Sequence, residues 1–407
     1  MTAISTPTTL KSSARLGIWL IGVSFVLFQF FLQLSSGVVI GSIMHDMHLS
    51  ALTAGILSSA LYIVYTSLQI PVGILFDKKN TRTLMAVNAL LCSIGCFVFA
   101  ASYSLFGLFV GRLLIGTGSA FAFIGLSHLL RQHYPLRQFA FMIGLSETLG
   151  FAATVVGMIA MGTLIATWGW RGFINTAGTV GVLIAFLSWK YIPNSHPQIQ
   201  PARHYGKQLL QILTNGKAWI NGFFVGLTFT VVTAYGALWA VPFIQVKLSC
   251  NLQQASMINA VFFLGTALSC PLFGILATHL SKRRPLILSS CLSTSTLLLV
   301  LLYMPIESHL LMGFLMFLMG ICCGAYMLAY TIANELAPAG SLSTCTGFTN
   351  MLAMVTTPLL QPLIGYLLDV FNNTGIYTLA NYQIALLTIP ISLIIACILV
   401  FFLPEKP

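Results

Sequence analysis

Charge is what this chain has least of: only 6% of its 407 residues are Asp, Glu, Lys or Arg, and the acids number just seven. A water-soluble globular domain carries roughly a quarter charged residues, so a soluble fold is excluded. The eight histidines fall in loops or near the ends of apolar runs without ligand spacing, which leaves no metal site and no catalytic cluster to argue for. No Gly-rich phosphate loop occurs, so ATP is not implied, and no cofactor is expected. The polar start, rich in Thr and Ser, precedes an apolar run without a small-residue cleavage site, and we read no cleaved signal peptide. Of nine cysteines only Cys250 stands clearly outside the apolar runs. No disulfide is expected, and Cys92 and Cys96, which share a helical face, read as small buried hydrophobes.

What the chain has in abundance is apolar length. It is 57% hydrophobic, and runs of about 20 residues, enough to cross a bilayer core, centre on 17–40, 51–75, 83–103, 105–129, 138–163, 172–193, 218–245, 255–278, 285–305, 309–334, 343–368 and 380–403. We number these spans 1 to 12. The net charge of +11 follows topology rather than nucleic acid. With both termini in the cytoplasm, only Arg171 and Lys247 of the loop cations fall outside, the bias of the positive-inside rule. Trp168 and Trp170, beside Arg171, read as an interfacial anchor.

The chain repeats itself near its midpoint. Gly-Ile-Leu followed by a basic turn occurs at Gly73 and again at Gly274. "GTGSAF" from Gly116 answers "GICCGAY" from Gly320, and "GLSETLG" from Gly144 answers "GFTNMLA" from Gly347. The offsets of 201, 204 and 203 are close to half the chain. They predict an N-terminal six-helix bundle (1–192), a cytoplasmic linker (193–217) and a C-terminal six-helix bundle (218–407). In such two-half transporters the solute site lies between the repeats near mid-membrane.

Two motifs carry a resemblance to a family. "GILFDKKNTR", Gly73 to Arg82, resembles the loop 2-3 signature of the major facilitator superfamily, with Asn80 and Thr81 where the usual second Gly would stand. Arg112, Gly116 and Gly118 are similar to its Arg-x-x-x-Gly-x-Gly pattern in span 4. The resemblance implies an all-α polytopic membrane protein of twelve helices in two pseudo-symmetric six-helix bundles, working by alternating access. It also implies a gating latch at Gly73, Asp77, Lys78 and Arg82, in which an acid meets a neighbouring helix start and nearby cations. The C-terminal copy keeps Lys282, Arg283 and Arg284 but lacks the acid. Family drug-proton antiporters have a Gly-Pro-rich span 5. Here that span has Gly144, Gly150 and Gly157 but no Pro, which counts against drug export. "LYIVYTSLQIPVG" and "YGALWAVPFI" resemble bacterial members that include nutrient importers.

Glu147 is the one acid well inside a span, about nine residues and so roughly 14 Å from the cytoplasmic surface at 1.5 Å per residue. At that depth an acid costs about 2.5 to 3.5 kcal/mol on insertion scales, so it must face the interior, find a partner or bind a proton. Arg112 lies roughly 10 Å below the opposite surface, which leaves the two levels about 6 Å apart in a core of about 30 Å. A Glu147–Arg112 pair is therefore expected, and movement of one group against the other would change whether a proton stays. A static clamp between spans 4 and 5 is the structural alternative. Polar and aromatic residues at helical spacing are expected to line the cavity: Gln29 and Gln33; Tyr62, Tyr65 and Gln69; Thr228, Tyr235 and Trp239; Asn350, Thr357 and Gln361.

The sequence thus predicts a secondary active transporter, a monomer in a bacterial inner membrane, taking up a small polar organic solute with protons. Its partners are the solute, protons and the lipid bilayer. Export of a drug or siderophore by proton exchange is the alternative; a membrane sensor or enzyme is disfavoured because the spans hold no clustered nucleophiles, acids or ligands.

Overall fold

The computed structural model describes residues 12–34, 36–194, 205–279, 282–337, 342–372 and 375–405. Among these it contains helices and no strand. Twelve helices are long and apolar enough to cross a membrane: span 1, Ser13–Leu34; 2, Ala51–Phe76; 3, Thr81–Ala101; 4, Leu105–His133; 5, Met142–Met161; 6, Thr167–Tyr191; 7, Gly216–Leu248; 8, Leu252–Leu276; 9, Arg284–Tyr303; 10, His309–Leu336; 11, Gly347–Val370; 12, Leu379–Val400. An even number of crossings puts the first and last residues on one side, the termini-bearing end. The other side is called the far end below.

Several elements depart from the expected boundaries. Helix is described over Ser12–Leu34 and again over Ser36–Met47, which carries the chain of span 1 on towards the far end. Spans 5 and 6 are joined by a turn at Gly169, φ +68° and ψ 167°, a conformation that a residue with a Cβ adopts only under strain. Within the expected linker, Tyr205–Leu213 forms a helix. The neighbouring basic position Arg203 and the terminal cations Lys11 and Lys406 lie outside the described residues. Span 7 widens into a π-helix over Val231–Trp239, and span 10 tightens into a 3₁₀ turn over Cys323–Met327. Such departures from i→i+4 bonding recur at functional sites in membrane helices.

Trp168 is exposed as an anchor would be, but Trp170 is buried. Its indole N–H donates to Asp46 at 2.7 Å, and Arg171 approaches the same carboxylate at 3.5 Å. The anchor reading is corrected for Trp170: the acid on the Ser36–Met47 helix draws the indole into the bundle. Cys92 and Cys96 pack in the core of the first bundle.

The two bundles meet along antiparallel helix pairs, span 2 against span 11 and span 5 against span 8. At the far end glycine lets the backbones touch. A methyl group added at Gly55 would stand 2.6 Å from the Gln361 carbonyl oxygen, and one at Gly365 would stand 2.3 Å from that of Ala51. Gly37 lies equally close to the Leu238 carbonyl of span 7. On the second pair Phe151 stacks on Phe263 at 6.4 Å, and the Asn259 amide reaches the Met158 sulfur at 3.7 Å. At the other ends of the same four helices, added methyls on Gly73, Gly144, Gly274 and Gly347 would meet nothing within 4 Å. The halves are thus in backbone contact at the far end, whereas towards the termini these four glycines meet no described atom of the opposite half.

This asymmetry makes a steric prediction. In Gly55→Ala or Gly365→Ala the obstructing atoms are backbone, which cannot swing aside, so far-end closure is opposed. Accessibility of far-end interface positions to a membrane-impermeant reagent should rise in both variants, whereas Gly17→Ala, whose added methyl meets nothing within 4 Å, should leave it unchanged.

Candidate functional site

Polar side chains gather where the closed part of the interface gives way to the open part. Tyr330 of span 10 donates its hydroxyl hydrogen to the Asn350 side-chain oxygen at 2.9 Å. The Asn350 amide in turn donates across the interface to Gln69 of span 2 at 3.2 Å. Gln69 also donates to the Tyr65 carbonyl of its own helix at 3.3 Å. This chain of amides joins the halves without a charge.

On span 1, Gln29 and Gln33 are buried and hydrogen-bonded to each other, as their i, i+4 spacing implies. Gln33 also donates to the Met354 sulfur of span 11 at 3.5 Å, while the Tyr62 hydroxyl donates to the Gln33 carbonyl at 3.4 Å. The Gln29 side-chain oxygen is buried and, among the described residues, accepts no hydrogen bond. A buried acceptor of this kind is rare, and each instance calls for an explanation.

Glu147 faces this region. Tyr65 of span 2 and Cys270, Tyr326 and Tyr330 of the opposite bundle all lie within its electrostatic reach, which places Glu147 near the seam between the halves. Span 5 is held there by span 1: the Trp19 indole donates to Ser146 at 3.1 Å, and Phe30 meets Phe151 edge-on at 5.4 Å over Gly150. Among the described residues, Glu147 takes part in none of the ion pairs.

The expected Glu147–Arg112 pair is therefore not formed in this conformation. Arg112 is buried, donates to the Ser36 hydroxyl at 2.9 Å and sits 5.2 Å from the Phe99 ring centroid. It borders a cavity of about 20 Å³, lined also by Phe31, Phe173 and Ile174, with room for about one water molecule. Span 1 separates the two groups, since it packs on span 4 through Gly22 against Leu126 and Leu129 and on span 5 through Trp19 and Phe30. The two groups also sit at different levels of span 1, Arg112 beside Ser36 and Glu147 next to Ser146, which is bonded to Trp19, so the similar depth counted along the sequence is not realised.

The remaining expected cavity residues divide. Thr357 bonds Thr233 at 2.6 Å, Gln361 donates to the Thr233 carbonyl at 2.8 Å, and the Trp239 indole donates to the Gln361 carbonyl at 3.2 Å. These three tie the π-helical segment of span 7 to span 11 on the closed side and do not face the open region here. Tyr235 is buried against Phe243 and Phe262, its hydroxyl on the Met316 sulfur at 3.4 Å. Thr228 returns its hydroxyl hydrogen to its own helix at Phe224, 3.0 Å away. Tyr326 and Tyr330, one helical turn apart, are in the cluster but were not anticipated. Their i, i+4 spacing after "GICCG" was the available signal.

In the loop signature, the side chains of Asp77 and Lys78 lie outside the described residues. Gly73 has open space beside it. Arg82 stacks its guanidinium over Trp189 of its own bundle at 4.6 Å. Asn80, where the family pattern has Gly, caps span 3 by accepting from the Arg82 N–H at 2.9 Å. In the C-terminal copy Arg283 pairs with Glu335 of span 10 at 2.8 Å. The acid missing from that loop is thus supplied by the neighbouring helix, at the position 204 residues beyond Arg131.

Comparisons with known proteins agree with this architecture. The Uncharacterized transporter YybO of Bacillus subtilis (strain 168) is 24% identical over 390 residues, covering 87% of each chain. The Probable galactarate/D-glucarate transporter GarP of Escherichia coli (strain K12) is 20% identical over 81% of this chain and 82% of its own. Among solved structures, a bacterial homolog to the human lysosomal transporter Spinster, in its inward-facing and unoccupied conformation, superposes with a TM-score of 0.79 at 15% identity, covering 97% of both chains. The pattern of the Major Facilitator Superfamily matches residues 19–248 and again 218–407. With twelve spans in two bundles and both halves matched, the chain belongs to the Major Facilitator Superfamily and is a membrane transporter.

Proposed function

We propose that this transporter takes up a small polar organic solute together with protons, with Glu147 as the proton-carrying group. The observation that carries the reading is Glu147 itself: an acid inside a span, turned to the interface between the bundles, in no ion pair with any described cation. A carboxylate so placed is costly when charged and cheap when protonated, and intramembrane ionisable groups mark proton and substrate pathways. Reorientation of the bundles then favours the protonated form, and exposure to water at the open end favours release. Arg112, held by Ser36 in the same bundle, acts in this scheme by meeting Glu147 only when spans 4 and 5 shift within that bundle.

The solute contacts are assigned to Gln29, Gln33, Tyr62, Tyr65, Gln69 and Asn350, with Tyr326 and Tyr330 added. Amide and phenol groups bond hydroxyls and amines without demanding a charge, and the unpaired Gln29 oxygen calls for a donor. Sugar acids, named for the relative GarP, share that polarity. The engagement of Arg112 elsewhere favours a neutral or zwitterionic compound, such as an amino acid or nucleoside-like nutrient. Basic residues concentrate at the termini-bearing end, so we place that end in the cytoplasm of a bacterial cell. The open side then faces inward. Thr357, Gln361, Trp239 and Tyr235 belong to the closed gate in this state, and Gly73, Asp77, Lys78 and Arg82 to the latch that forms when the cytoplasmic side closes.

Three outcomes are expected. A thermal-shift screen of amino acids, nucleosides and sugar acids identifies a binder as a compound that raises the apparent Tm. In vesicles with an alkaline interior, Glu147→Gln should abolish accumulation of that compound above equilibrium while solute counterflow continues. Accumulation equal to wild type would remove Glu147 as the coupling group. Asn350→Ala, which deletes two hydrogen-bonding partners, should weaken binding about tenfold or more. Undiminished affinity would place the solute elsewhere.

A further inference from the structure

The first residues of span 2 are capped from the opposite half of the molecule. Ser50 accepts the Thr53 N–H at 3.2 Å, the ordinary local cap. The two preceding N–H groups, which no intrahelical carbonyl can serve, go to Asp369 at the end of span 11. Ala51 N–H donates to one carboxylate oxygen at 3.0 Å and Leu52 N–H to the other at 2.8 Å. Tyr377, beyond span 11, completes the ring: its hydroxyl donates to Asp369 at 2.7 Å and accepts from Ala51 N–H at 2.9 Å. Burial and the adjoining carboxylate push the Tyr377 phenol up to about 12, which keeps it a donor at any physiological pH.

We propose that Asp369, Tyr377 and the start of span 2 form a latch that holds the far side closed and must release for the transporter to open there. The contact joins the halves at their outermost meeting point, one helical turn beyond Gly365, where the span 11 and span 2 backbones touch. Its bonds are of the stronger, charge-assisted kind, and the positive end of the span 2 dipole adds to them. They exist only while spans 2 and 11 are together, so they stabilise one of the two states selectively, as a population shift requires. The start of span 2 is thus tied to the C-terminal bundle in the far-closed state, while its other end carries the loop signature. The latch depends on alternating access alone and stands whether or not Glu147 carries the proton.

The test reads conformation rather than transport. Phe106 and Leu310 are exposed at the far end, one in each bundle; spin labels carried there by non-canonical amino acids leave the nine native cysteines untouched. In the full-length protein, Asp369→Asn should raise the far-open, long-distance population on the order of tenfold. Tyr377→Phe should shift it the same way by about a few-fold. Ala51→Pro gives an independent variant, since proline suits the first helical position yet lacks the N–H. It should also widen the distribution. A wild-type distance distribution in folded Asp369→Asn overturns the proposal; should that variant not fold, unchanged distributions in both Ala51→Pro and Tyr377→Phe do so.

Discussion

A polar group in hydrocarbon has to be surrounded by protein, because lipid offers it no hydrogen bond. That constraint orders the rest of this molecule. Its outward surfaces are leucine, isoleucine, valine and phenylalanine, and its amides, phenols and intramembrane carboxylate are collected where the two bundles meet. The seam is therefore at once the most polar part of the membrane interior and the part that must come apart. Hydrogen bonds that cross it, such as Asn350 to Gln69 and Asp369 to span 2, are made in one arrangement and exchanged in another.

Along the seam the contacts change character with depth. At the far end glycine brings backbone against backbone, a carboxylate caps a helix from across the interface, and the π-helical part of span 7 is tied to span 11 through Gln361 and Trp239. Midway, the connection is a chain of neutral side chains. Towards the termini the glycines of spans 2, 5, 8 and 11 have open space beside them. The two interface carboxylates differ accordingly. Asp369 is bonded to backbone N–H groups and a phenol, which fix its two oxygens at a helix start. Glu147 has phenols and a thiol around it and no ion pair. Chemically similar side chains thus suit a latch and a proton site respectively, because their surroundings differ.

Much of this was readable before any coordinates. The spans follow from apolar run length, the two bundles from repeats at Gly73/Gly274, Gly116/Gly320 and Gly144/Gly347, and the family from the Gly73–Arg82 loop and the Arg112 motif. The inward aspect of Glu147, Gln29, Gln33 and Asn350 follows from the cost of exposing them to lipid. Pairings were less accessible. Depth along a helix can be counted in residues, but the direction a side chain takes about the helix axis depends on what packs beside it. That is why Trp170 turns inward to Asp46, and the packing of spans 4 and 5 on span 1 likewise sets Arg112 beside Ser36 but Glu147 next to the Ser146–Trp19 contact, at different levels. Asp369 stands at the end of a span, and nothing local to it reveals that the start of span 2, more than 300 residues earlier, comes to meet it.

The sequence by itself determined the number of crossings, the duplication and the identity of the scarce polar groups, because hydropathy and repetition are properties of residues counted in order. Which side of the seam is closed, which polar groups meet across it and which helix end is capped from the other bundle were decided only by the tertiary structure. Those depend on how the helices are rotated and tilted against one another, and that is settled by packing between segments far apart in the chain.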